Sequence, residues 1–221
     1  VTVVSGLAAA AKAGILIKGG VYLEEGRKLK SLALDKTGTI TQGKPVVTDI
    51  VSLSGVESQA MRLAATLAGR SDHPVSAALS NHFKSQPTLV LEDVTDFEAI
   101  TGRGVKGRIG NQWYYLGNHR LVEELGICNV ATEAALNKLE AEGKTAVIIS
   151  NETTPLAVIA VADTVRESSR QAIVELHVLG IRTLMLTGDN DLTAKAISKS
   201  VGIDDARGNL LPEDKLSVIN E

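Results

Sequence analysis

The stretch SLALDKTGTITQGKP, residues 31–45, narrows what this chain can fold into more than any other. A short apolar run ends on an acidic residue, Asp35, and Lys36, Thr37, Thr39 and Thr41 crowd in behind it. A brief apolar run bounded by turn residues is the pattern of a buried strand. Ligands of open parallel sheets bind beyond the carboxyl ends of the strands, which is where Asp35 falls. The threonines offer hydroxyl and backbone donors, and Lys36 offers a positive charge. Such company suits an anionic phosphoryl group on or near a carboxylate nucleophile. A bare strand-end aspartate would be read as a turn cap; the whole string DKTGTIT asks for more.

The far end of the chain repeats a strand–helix rhythm. PLAVIAVAD (155–163) reads as a strand, and TVRESSRQAIVELHVLG as a helix with Ile173, Leu176 and Leu179 along one face. IRTLMLTGDN comes next as strand and loop, then DLTAKAISKSVG as a helix closed by Gly202. PEDKLSVINE opens another helix with Pro212 in its first turn. Alternation of this kind implies a parallel sheet with helices on its faces.

Residues 48–153 have a different texture. Ser54 and Glu57 have capping-box spacing ahead of a helical run, and Pro74 starts a second helix. TDFEAI, GVKGRI and QWYYLG are short strands, the last two joined by the hairpin signal Gly110-Asn111. NKLEAEGKTAVIISNETTPLAVIAV completes the region as helix, strand, turn and strand, so PLAVIAV also reads as the last strand of this antiparallel part. The expected architecture is an α/β domain in two segments, 1–47 and 154–221. It carries an inserted α+β domain, 48–153, built on an antiparallel sheet.

With 221 residues, 44% hydrophobic and 22% charged, the chain has room for two ordinary globular domains. A formal charge of −3 and the lack of a dense Lys/Arg block argue against a nucleic-acid partner. The single cysteine, Cys128, excludes an internal disulfide framework and a cysteine-cluster metal site, and reads as a small buried or half-buried residue. No run approaches the ~20 apolar residues of a membrane-spanning helix, so the chain itself is expected to be soluble. VTVVSGLAAAAKAGILIKGG lacks the basic start of a signal peptide and reads as the cytosolic end of a helix from a longer protein. LLPEDKLSVINE likewise stops inside a helix.

DKTGTIT resembles the phosphorylation motif of P-type ATPases, cation pumps built on the haloacid-dehalogenase-like fold. TGDN (187–190) resembles that family's second phosphate-contacting loop. PEDK (212–215) resembles the segment whose lysine, here Lys215, faces the phosphoryl group, and VADTVRE the hinge carrying Asp163 and Arg166. The resemblance implies an aspartyl-phosphate at Asp35, with Lys36, Thr37, Thr187, Gly188, Asp189 and Lys215 around it. It also implies Mg²⁺ held by Asp35 and the backbone carbonyl of Thr37.

Within the insert, His73-Pro74, Glu98, Gly102, Gly104 and Asn118 resemble the nucleotide-binding domain of heavy-metal pumps, which implies ATP as ligand. Glycines would let backbone approach a planar base, and His and Glu could bond its edge. Trp113, Tyr114 and Tyr115 read as a hairpin packing stripe. His82, His119 and His177 read as solvated or half-buried helix residues.

The resemblance thus implies a heavy-metal exporter at the cytoplasmic face of the plasma membrane, partnered by actuator and transmembrane domains. IKGG and LLPEDK look more like zinc, cadmium or lead pumps than the alternative, copper pumps. The family's Gly-Asp-Gly magnesium loop is not in this sequence, so the chain alone is expected to hydrolyse ATP poorly. A soluble phosphatase of the same superfamily would place a second aspartate where Thr37 stands. A threonine cannot perform that proton transfer near neutral pH. A regulatory module without chemistry would not need Asp35, Thr187 and Lys215 together.

Overall fold

The computed structural model describes residues 2–84 and 90–219. Helices α1 (Thr2–Lys12) and α2 (Gly20–Glu25) precede strand β1 (Ser31–Asp35). The chain then crosses into β2 (Val46–Ser52), α3 (Glu57–Ala68) and α4 (Pro74–Lys84). Three strands come next, β3 (Val94–Ile100), β4 (Gly104–Ile109) and β5 (Gln112–Gly117), then α5 (His119–Glu124) and α6 (Val130–Ala141). Two long strands, β6 (Thr145–Asn151) and β7 (Pro155–Ala162), lead to α7 (Glu167–Val178) and β8 (Arg182–Leu186). The chain closes with α8 (Asp191–Val201), β9 (Asp205–Arg207) and α9 (Pro212–Ile219). Positions 220 and 221, which the sequence assigns to the last helix, lie outside the described residues. Among the described residues no helix is long and apolar enough to cross a membrane.

Two sheets organise these elements. A three-stranded parallel sheet runs in the order β1-β8-β9, and a six-stranded antiparallel sheet in the order β2-β7-β6-β5-β4-β3. Ile40, Ile173, Met185, Ala194, Ile197 and Val201 form the core of the first. The second has helices on both faces. Alternate residues of β7 explain how: Ala157 and Ile159 pack with the α3–α4 layer, while Val158 and Ala160 pack with Leu136 and Leu139 of α6. Each fully buried valine, leucine or isoleucine among them contributes about 1.5–3 kcal/mol.

β7 resolves two sequence readings. Its unbroken apolar run reads both as the last strand of the insert and as the first strand of the segment beginning at 154. It is a central antiparallel strand, between β2 and β6, so the antiparallel sheet extends past residue 153. Ala157 to Val161 are each no more than 1% exposed. A strand covered on both faces loses the alternation that would mark it as antiparallel, so periodicity alone could not place it.

Two smaller expectations also change. Ser54 does not cap α3: its amide donates to Leu156 O at 3.1 Å, and Val56 occupies the cap position without a side-chain bond. Leu179 lies past the end of α7 and is 73% exposed, so the buried face of that helix rests on Ile173, with Leu176 partly buried. The Gly110-Asn111 hairpin and the Gly202 stop of α8 form where expected.

Two chain crossings join the sheets, and they are stitched together. Asp163 accepts from Gly43 N at 2.9 Å and from Lys44 N at 3.1 Å. Arg166 Nε donates to Thr41 O at 2.9 Å, and Gln42 N donates to Thr164 O at 2.9 Å.

Candidate active site

β1 and β8 lie side by side and parallel, with Asp35 opposite Leu186. The chain leaving β8 must therefore emerge beside the Asp35 carboxylate, and its first residue is Thr187. The turn after Asp35 is sharp: Thr37 is extended at ψ 120 and Gly38 has φ 78. Thr41, fully buried, ties that turn down by donating its hydroxyl to Lys36 O at 3.2 Å. Ser169 of α7 donates to Thr39 O at 3.2 Å.

The Lys215 ammonium, in the first turn of α9, donates to Asp35 Oδ1. Both side chains keep a face to solvent, at 31% and 45% exposure. Thr187 is reached from the other side by the chain leaving β9, since Leu210 N donates to Thr187 O at 3.2 Å. Gly208 makes this return possible. A Cβ there would lie 2.6 Å from the Asp189 carbonyl oxygen, too close for any side chain.

Lys36 does not face the open site, contrary to the sequence expectation. It is 6% exposed and forms an ion pair with Asp189. The reason is local: Asp35 is extended, at φ −74 and ψ 154, and successive side chains of an extended chain point to opposite sides. Asp189 also accepts from Thr187 Oγ1 at 2.9 Å and from Thr145 Oγ1 at 2.8 Å. Burial would push its carboxyl up, but Lys36 and the two threonines outweigh burial and hold it below the usual carboxylate range. Gly188 lies between Thr187 and Asp189, and a Cβ there would stand 3.5 Å from Leu210 O. The cation at the open edge is thus Lys215, and Lys36 fixes the loop behind it.

Thr145 is the contributor that sequence reasoning missed. It opens β6 of the antiparallel sheet and yet bonds Asp189, in the loop after β8 of the parallel sheet. Nothing local to Thr145 signals such a contact.

The insert residues divide into two groups. Gly102, Gly104 and Asn118 form one corner: Asn118 Nδ2 donates to Gly102 O at 3.0 Å, and Asn118 N to Arg103 O at 2.9 Å. Asn118 also caps α5 by accepting from Leu121 N at 3.2 Å. Gly104, at φ 150, is required by strand packing, since a Cβ would lie 2.3 Å from Leu116 O. His73 and Glu98 bond elsewhere. His73 Nδ1 accepts from Val75 N at 3.3 Å ahead of Pro74 in α4, and Glu98 pairs with Lys106 at 2.9 Å across the hairpin. Burial holds the His73 imidazole below its usual range, against an upward pull from Asp189. Gly102 packs near Leu211, just ahead of α9. The Gly102–Asn118 corner therefore borders the segment that leads into Lys215.

The residues present fit Mg²⁺. That ion asks for one or two carboxylates, with waters and phosphate oxygens completing the shell. The part-exposed Asp35 carboxylate and the Thr37 carbonyl of the turn behind it are donors of that kind.

Residues 29–221 match the haloacid dehalogenase-like hydrolases, and the chain belongs to that family. Within it, the chain is similar to metal-transporting ATPases. It is 46% identical, over its whole length, to a probable cadmium-transporting ATPase of Staphylococcus aureus, of which it spans 28%. It is 39% identical to a copper-exporting P-type ATPase of Staphylococcus saprophyticus, covering 99% of this chain and 27% of that protein. Among solved structures, a zinc-transporting PIB-type ATPase in an E2.Pi state matches at 35% identity and TM-score 0.64, over 98% of this chain and 35% of that one. The catalytic CPx-ATPase domain CopB-B matches at 25% identity and TM-score 0.68, over 97% of this chain and 74% of that one. The chain thus spans under a third of the curated relatives it matches.

Proposed function

We propose that this chain accepts a phosphoryl group from ATP on Asp35, as the energy-converting part of a heavy-metal cation pump. The observation that carries the proposal is the Asp35–Lys215 pair at the carboxyl edge of the parallel sheet. A carboxylate nucleophile faces solvent there with a cation against it. The similarity to cadmium- and zinc-transporting ATPases supports a zinc- or cadmium-class cargo over copper.

ATP would dock its base on the insert, near Glu98, His73 and the Gly102–Asn118 corner, with its phosphates toward Asp35. Asp35 attacks the γ-phosphorus in line, the bond to the bridging oxygen breaks, and ADP leaves with that oxygen. Lys215 Nζ meets the charge on the transferring group, as a positioned donor does in such transfers, and the Thr187 hydroxyl joins it by turning its proton away from Asp189. When bound, Mg²⁺ neutralises charge between Asp35 and the phosphate. Thr37 lacks the acid/base capacity to discharge the product, so the aspartyl-phosphate waits for a base from an actuator domain. Coupling to transport belongs to transmembrane segments, with this chain on the cytoplasmic face of the plasma membrane.

The test is intact-mass measurement of the native polypeptide that carries this sequence, after brief exposure to Mg²⁺ and ATP. A mass gain of one phosphoryl group is expected, absent in Asp35→Asn. Rapid turnover of p-nitrophenyl phosphate without a trapped phosphoenzyme would instead indicate a soluble phosphatase.

A further inference from the structure

Away from the phosphoryl site, three side chains of different chemistry meet at one point of the insert. His119 begins α5, Cys128 lies in the loop ahead of α6, and Glu133 stands in the first turn of α6. Their Nε2, Sγ and Oε1 atoms are mutual neighbours. His119 to Glu133 is 2.7 Å, Cys128 to His119 is 3.4 Å, and Cys128 to Glu133 is 3.3 Å. All three residues are half-buried.

We propose that His119, Cys128 and Glu133 form a binding site for one divalent d¹⁰ cation of the zinc or cadmium class. Imidazole nitrogen, thiolate and carboxylate are the donors such ions take. Metal–ligand bonds of about 2.0–2.3 Å in a tetrahedron put neighbouring donors about 3.3–3.7 Å apart. Both cysteine distances already have that spacing. Only the His119–Glu133 pair must open, by somewhat under ~1 Å on the same geometry.

The surroundings favour a cation. Glu123 Oε1 lies 3.8 Å from His119 Nε2, one helical turn along α5, and can supply a fourth donor or hold a water there. The frame is rigid because Asn118 and Asn129 cap the two helices that carry the ligands, accepting from Leu121 N at 3.2 Å and Thr132 N at 2.9 Å. Binding exchanges the thiol proton for the metal: Cys128 Sγ loses H⁺ to solvent as the sulfur–metal bond forms, with no change of oxidation state.

Cys128 is the one cysteine of the sequence, so any thiolate–metal signal reports this site alone. The experiment is a titration of the metal-free 221-residue protein with Cd²⁺, read by the ultraviolet thiolate-to-cadmium charge-transfer band. A band saturating at one equivalent is expected. It should vanish in Cys128→Ser and need at least about tenfold more Cd²⁺ in His119→Ala and Glu133→Gln. Zn²⁺, but not Mg²⁺, should slow iodoacetamide alkylation of Cys128 in the unaltered protein, a readout that needs no variant to fold. No band at one equivalent, alkylation indifferent to Zn²⁺, or unchanged cadmium affinity in His119→Ala and Glu133→Gln would each overturn the proposal.

Discussion

Lys36 and Asp189 form an ion pair behind the open edge of the parallel sheet, with side chains only 7% and 12% exposed. The pair joins the turn after β1 to the loop after β8, and Thr145 brings the antiparallel sheet into the same network at 2.8 Å from Asp189. Three separate stretches of chain are thereby held in fixed relation around Asp35.

Removing one partner should be costly. Lys36→Met leaves a buried carboxylate without its cation, and a loss of about 3–5 kcal/mol is expected. The double variant Lys36→Met/Asp189→Asn should recover much of that loss. Urea unfolding of both variants checks this, and equal destabilisation would show that the charge pairing is not the reason.

The same pair sets an acid dependence. The Asp189 carboxyl is held below its unfolded value by Lys36 and the threonines. Its stabilisation is therefore present above about pH 4 and lost as pH falls toward the folded value. The stability gap between the parent protein and Asp189→Asn should narrow steadily below about pH 4.

The Asp35–Lys215 pair should behave in the opposite way. Both groups face solvent, so Lys215→Met should change folding stability by no more than about 1 kcal/mol. Phosphoryl transfer, in contrast, should slow by about 10²–10³-fold, the usual cost of losing one donor aimed at developing charge. Single-turnover kinetics beside a denaturation curve separate the two effects.

Two insert positions discriminate packing from recognition. Gly104→Ala puts a Cβ 2.3 Å from the Leu116 carbonyl oxygen, so the β4–β5 hairpin should loosen and the melting temperature should drop. Glu98→Gln, on an exposed side chain, should leave melting unchanged and weaken ATP binding. Unaltered ATP affinity in Glu98→Gln would remove Glu98 from the nucleotide site.

Much of the site was legible because its motifs are local strings. Asp35 at a strand end, TGDN after a second strand and PEDK at a helix start are each visible in one dimension, and parallel pairing of β1 with β8 brings the first two together. What stayed hidden depends on tertiary partners. The direction of Lys36 comes from the extended backbone at Asp35 and from the position of Asp189, which no window around residue 36 contains. Thr145 contributes across the two sheets with no local signal. β7 read both ways for a different reason: burial on both faces erased the alternation that distinguishes a central antiparallel strand from a parallel one.

The central claim is that Asp35 itself carries the phosphoryl group, and its location can be read chemically. Brief reaction with Mg²⁺ and ATP, an acid quench and borohydride reduction convert an aspartyl-phosphate to homoserine, which peptide mass mapping then places. The account predicts homoserine at position 35, with Lys215→Met reducing its yield at short times. A phosphoryl group found on Thr37, Thr39 or Thr41, or homoserine at position 189 with Asp35 unmodified, would contradict it.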